Sequence, residues 1–160
     1  GISVTTLELV ANSELISSSR IRLLLEEGRF EEAKRCLGRP YAFSGKVCYG
    51  EQKGRILGFP TANISLRYYP IPLKGIYAVR VKIGETWFQG AASIGFKPTW
   101  SKVFPFSCEV HILDFSGNLY GQSLWIEPYQ KIRDEQKFES IEDLKKQIKK
   151  DIDLVREIKE

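Results

Sequence analysis

The chain has 160 residues, 42% of them hydrophobic and 28% charged, which is one domain's worth of ordinary globular composition and excludes a disordered chain. Its net charge is +4, and residues 131–160 hold nine basic and nine acidic side chains, so the whole excess lies in residues 1–130. That is too mild for a nucleic-acid coat, and it suits a pocket for a small anion. No apolar run approaches the ~18 residues of a membrane span and no secretory leader opens the chain, so a cytoplasmic protein without a membrane partner is expected. Cys36, Cys48 and Cys108 form no CxxC pair and His111 is the one histidine, which argues against a disulfide framework, a zinc site and a Ser-His-Asp triad. Carboxylates, hydroxyls, amides, backbone and a hard metal remain as chemical means. The chain starts Gly1-Ile2-Ser3 and has no methionine, so a fragment of a longer protein is expected.

In chain order, two short helices come first. Ser17, Ser18 and Ser19 offer N-caps, Ile21, Leu24 and Leu25 form an apolar stripe, and Gly28 ends it. Phe30, Ala33 and Leu37 repeat the pattern up to Gly38, and Pro40 prevents continuation. From Tyr41 to about Arg133 the period changes to two. Phe43, Gly45, Val47 and Tyr49 alternate with other residues, as do Tyr77, Val79, Val81 and Ile83. In FSCEVHILDF, Phe106, Cys108, Val110 and Ile112 share one face, and Ser107, Glu109 and His111 the other. Connections rich in glycine and proline, with no helices between them, predict an antiparallel barrel or sandwich. A final helix starts at Ser140, with Asp143 at capping-box spacing, and carries Ile141, Leu144, Ile148, Ile152, Val155 and Ile158 as its stripe. Its lysines read as a solvated face.

Residues 54–63, GRILGFPTAN, are the first candidate for chemistry. Glycines let backbone N–H groups converge on an anion, and Arg55 can add a charged contact to phosphate. Thr61 and Asn63, two apart on an extended segment, project to the same side and are hard neutral ligands suited to Mg²⁺ carried by phosphates. A flexible glycine loop before a strand accounts for the same pattern, and the residues alone do not choose. Glu109 reads either as solvated surface or as a general base beside a nucleotide. Arg133, Asp134 and Glu135, beside Phe138, read either as a charged helix start or as a flap over a polar ligand.

Together GRILGFPTAN, GIYAVRV, IGFKPTW, CEVHILDFSGNLYG and RDEQKFES, in that order, resemble the riboflavin kinases, and in particular the kinase module of bacterial bifunctional riboflavin kinase/FAD synthetases. The resemblance implies a mainly β fold: a six-stranded antiparallel Greek-key barrel with a C-terminal helix and short N-terminal helices. It implies two parts: residues 1–38, a remnant of the adenylyltransferase module with linker helices, and residues 39–160, the kinase domain. The stretch ISSSRIR is similar to the tail of that adenylyltransferase module, which in the full-length protein stands in cis and makes FAD.

The implied reaction is ATP + riboflavin → FMN + ADP, with Mg²⁺ as cofactor. The resemblance assigns Thr61 and Asn63 to Mg²⁺ and the ATP phosphates, the Gly54–Gly58 loop with Arg55 to nucleotide cover, and Glu109 to the catalytic base. It assigns Phe59, Arg133 and Asp134 to the flavin. Lys97 departs from the family pattern, where arginine or asparagine is usual. Two rival readings are a flavin-binding barrel without turnover and a nucleic-acid-binding barrel using Tyr68, Tyr69, Trp87 and Trp100; the small positive excess disfavours nucleic acid.

Overall fold

The period-two stretches become strands of one closed sheet in the computed structural model, which describes residues 16–66, 72–96 and 106–158. Lys97, the loop around it, and Tyr68, Tyr69 and Trp100 lie outside the described residues. The strands are β1 (Phe43–Cys48), β2 (Ala62–Ser65), β3 (Gly75–Ile83), β4 (Thr86–Phe96), β5 (Phe106–Ile112) and β6 (Ser123–Arg133). They close in the order β1-β2-β5-β4-β3-β6, with every neighbouring pair antiparallel. The fold is therefore mainly β, a six-stranded barrel with helices at its ends and side.

Alternation places the core. Val47, Ile64, Tyr77, Val79, Val81, Ile94, Cys108, Val110, Leu124 and Ile126 point inward and are buried. Tyr77 is fully buried, and its phenol stays satisfied: it accepts from the Lys74 N–H at 3.0 Å and donates to the Lys74 carbonyl at 2.9 Å. Burial pushes the Tyr77 hydroxyl above its ordinary pKa. Tyr49 does not continue the β1 face; it lies beyond the strand, exposed, and stacks on Tyr120 with ring centroids 4.1 Å apart.

The first helices are α1 (Ser18–Glu26) and α2 (Phe30–Leu37). Ser17 caps α1 by accepting from the Arg20 N–H at 3.2 Å, and Gly38 ends α2 at φ 72°, a conformation that a Cβ disfavours. Their buried residues Leu24, Leu25, Phe30 and Ala33 join the barrel core, and Phe30 meets Tyr77 edge-on at 6.0 Å.

A short helix, α3 (Lys53–Leu57), interrupts what reads in sequence as a glycine loop. The last helix, α4 (Ile141–Glu157), has Ser140 at its N-cap, with the Asp143 N–H donating to the Ser140 hydroxyl at 3.1 Å. It lies on the outer wall, where Ile152 and Val155 cover Ala78 and Leu113, with Ile148 and Ile158 alongside. The predicted stripe begins too early: Ile141 is 60% exposed, because the first turn projects past the barrel wall. The buried face includes a carboxylate absent from the predicted stripe, Asp151, only 3% exposed.

Candidate active site

Pairing across β2, β5 and β4 aligns Asn63, Glu109 and Ser93 in one row. The inward positions on β5 are Cys108 and Val110, so this row faces out, onto the wall of the barrel. Glu109 is half-buried there, and the Thr61 hydroxyl stands 3.5 Å from its Oε2. Residues 48 positions apart in sequence are thereby brought within contact. The Cys108 thiol is pushed up in pKa first by burial and then by the neighbouring Glu109 charge, so it stays a neutral core group.

Two contacts hold the Phe59–Asn63 segment against β5. His111 Nδ1 lies 2.8 Å from the Pro60 carbonyl, a distance at which the ring N–H donates, and the Phe59 ring meets the imidazole edge-on at 5.9 Å. The Phe59 ring also packs into the small cluster under α4. The carboxamide of Asn63 lies flat on Gly50: a methyl group on Gly50 would collide with all three of its terminal atoms. Register places Cys48 directly opposite Asn63, and its thiol donates to the Asn63 carbonyl at 3.4 Å.

Gly54 and Arg55 lie within α3, and Gly58 ends it at φ 92°. The Phe59 N–H donates to the Gly54 carbonyl at 2.8 Å, which folds the helix back over the start of β2. Lys53, at the helix start, pairs with Glu51; that pair and, more weakly, the Glu109 charge raise its pKa.

Arg55, Thr61 and Asn63 line a cleft of about 540 Å³. Its opposite wall is the segment from Phe115 to Tyr120, and its floor is apolar, from Val47, Ala62, Val110 and Ile112 at the barrel end. A cleft with an apolar floor and a few polar groups at one edge suits a planar ring carrying a charged tail. The exposed apolar side chains Tyr49, Tyr120 and Ile56 stand on or near its rim.

Arg133 and Asp134 are not part of that cleft lining. Arg133 pairs with Asp151 of α4, and Asp134 pairs with Lys131 at 2.6 Å, which holds the Asp134 carboxyl below its ordinary pKa. Arg133 nevertheless lies along the row of Asn63, Glu109 and Ser93, through Ile76 of β3.

The oxygen donors fit a hard cation. Thr61 and Asn63 supply a hydroxyl and a carboxamide oxygen beside one carboxylate, and Mg²⁺ commonly takes few protein ligands, completing its shell with phosphate oxygens and water. Among the described residues no group of three His, Cys, Asp or Glu side chains is placed to hold a metal.

The riboflavin kinase family profile, flavokinase, matches residues 37–159. A bifunctional riboflavin kinase/FMN adenylyltransferase from Haemophilus influenzae is 44% identical over 147 residues, covering 91% of this chain and 47% of that protein. A solved structure from Streptococcus pneumoniae, described as a macrolide-efflux protein, superposes with TM-score 0.83 at 34% identity, over 93% of this chain and 49% of the other. Riboflavin kinase from Trypanosoma brucei superposes with TM-score 0.52 at 29% identity, over 73% of this chain and 78% of that one. The chain spans about half the length of the bifunctional relatives it matches.

Proposed function

The chain belongs to the riboflavin kinase family, and on that premise we propose that it moves the γ-phosphoryl group of ATP to the ribityl 5′-hydroxyl of riboflavin, giving FMN and ADP. The observation that carries the reading is the 3.5 Å approach of the Thr61 hydroxyl to Glu109 at the edge of the cleft. It supports a phosphate-binding group and a proton acceptor that share one reaction centre.

In the proposed mechanism the nucleotide lies in the 540 Å³ cleft with its base on the apolar floor and its phosphates toward Arg55 and Thr61. The α3 segment covers it. Glu109 accepts the proton of the attacking hydroxyl as the oxygen approaches the γ-phosphorus in line, which raises the nucleophilicity of the alcohol without freeing a charged alkoxide. Thr61 and Asn63 would hold Mg²⁺, which would offset negative charge on the phosphate oxygens. Arg133 and Asp134 start the segment that closes over the flavin, and Phe59 borders its ring.

Adenylylation of FMN is proposed for the longer protein, with the second module in cis, as the bifunctional relatives suggest. Among the described residues no helix is long and apolar enough to cross a membrane, and Cys36, Cys48 and Cys108 are free thiols, which supports a reducing cytoplasm. The test is direct: incubation with riboflavin, ATP and Mg²⁺ yields FMN and ADP by chromatography. Riboflavin binding without product overturns the kinase reading.

A further inference from the structure

The last helix sends a buried carboxylate toward the barrel. Asp151 is 3% exposed and accepts from three nitrogens: Arg133 Nε at 3.0 Å, Arg133 Nη2 at 2.8 Å and Gln147 Nε2 at 2.9 Å. An ionised carboxylate buried in this way is tolerated only when its oxygens are matched by donors, so Arg133 and Asp151 fix one another's position. The third guanidinium nitrogen, Nη1, donates to the Asp134 carbonyl at 2.9 Å, and the Phe138 ring lies 5.8 Å from the guanidinium carbon. All three nitrogens of Arg133 are engaged within the protein.

The segment that follows is also seated from below. The Glu135 carboxylate rests directly on Gly95 of β4, where a methyl group would collide with it. Gly95 pairs with Ser107, and two residues along the same strand Ser93 pairs with Glu109. The 134–138 segment is therefore held at its start by α4, and at Glu135 it passes over the outer wall close to the proposed base, with the exposed carboxylate lying in a gap in the β4 side chains.

We propose that Asp151 and Gly95 are positioning residues for the flavin: Asp151 acts through Arg133, and Gly95 through Glu135, to hold the 134–138 segment in the shape that receives riboflavin. This rests on the kinase reading for the identity of the ligand. Arg133 on this account contributes geometry, because its pairing with Asp151 and its bond to the Asp134 carbonyl fix the guanidinium in one orientation. The nucleotide lies against α3 and the 115–120 segment, which this anchorage does not touch, so the two substrates respond differently when it is broken.

The test measures KM for riboflavin and for Mg·ATP separately, riboflavin affinity by fluorescence quenching without ATP, and thermal stability, in Asp151→Asn and Gly95→Ala. Asp151→Asn keeps the volume and removes the charge; it is expected to raise the riboflavin KM about tenfold and leave the ATP KM within about twofold. Gly95→Ala leaves the Arg133–Asp151 pair intact, displaces Glu135, and is expected to show the same split. A lower melting temperature with both KM values unchanged assigns Asp151 a purely structural role and overturns the proposal, as does a parallel rise in both. Should Asp151→Asn fail to fold, Gly95→Ala decides alone, and an unchanged riboflavin KM there sinks the idea. If the unaltered protein binds riboflavin but makes no FMN, the kinase reading fails; weaker riboflavin binding by both variants then still supports the anchorage.

Discussion

At one end of the barrel, Leu24, Leu25, Phe30 and Ala33 from α1 and α2 pack onto Tyr77 and the inward-facing side chains. At the other end, Val47, Ala62, Val110 and Ile112 form the floor of a cleft about 540 Å³ in volume, with α3 and the 115–120 segment as its sides. The same kind of aliphatic side chain serves as core in the first case and as a receptive surface in the second. What differs is the covering: two amphipathic helices with buried faces, against a five-residue helix with no buried residue. The closed end gains stability from apolar area removed from water; at the open end Val47, Val110 and Ile112 are themselves buried, and the apolar area left for a ligand to cover lies on the cleft sides, at Phe115 and Tyr120. Apolar residues exposed near the rim, such as Tyr49 and Ile56, follow the same logic.

Substitutions at the two ends of the barrel should separate their roles. Glu109→Gln touches the open side and should give the largest effect, a loss of about 10²–10⁴ in turnover with ATP affinity nearly kept. Steady-state rates together with calorimetric ATP binding check this, and wild-type turnover would remove Glu109 from the base role. Leu25→Ala strikes the closed end. It deletes a side chain 1% exposed and should lower unfolding free energy by about 2–5 kcal/mol in denaturant titrations, with both KM values unchanged. A Leu25→Ala protein of normal stability but altered KM would reverse the assignment of the two ends.

Thr61→Ala should weaken Mg·ATP binding roughly tenfold, the cost of one lost charge-assisted contact, and leave stability intact. The smallest effect is expected at the exposed pair of Arg156 with Asp114, whose oxygens lie 2.9 and 2.7 Å from the guanidinium. This pair ties the segment after β5 to α4, and the hydrogen bond to Arg156 holds the Asp114 carboxyl below its ordinary pKa. A depressed folded-state value means that the contribution is complete above the ordinary aspartate range and disappears as pH falls through that lower value. Asp114→Asn should therefore shift the melting temperature slightly at neutral pH and not at all in strong acid or 1 M salt. A shift that persists in high salt would point to packing instead of charge.

Some elements were plain in the sequence. Serine caps, terminal glycines and three-to-four spacing mark α1, α2 and the later part of α4, because these are local effects of backbone geometry. β5 shows clean alternation, since one face meets the core and the other does not, and β3 does so except at Ala78, which α4 covers on the outer face. β4 and β6 are harder to read. β4 carries Gly90, Ala91, Ala92 and Gly95 where close packing requires small residues on both faces. β6 contains Pro128 beside a register shift opposite Ala78 and Val79, so its pattern slips by one. Asp151 was legible in principle: it stands three residues after Ile148 and four before Val155, a polar residue on an apolar face.

Sequence alone determined the family motifs, the strand faces and the pairing of Thr61 with Asn63 on one side of an extended segment, because each depends on neighbours a few residues apart. Only the tertiary structure decided that Thr61 meets Glu109, that α3 and the 115–120 segment enclose a cleft, and that Arg133 turns to Asp151. Those contacts join residues 18 to 48 positions apart or more, and barrel closure with its exact strand register, which local propensity does not encode, brings them together.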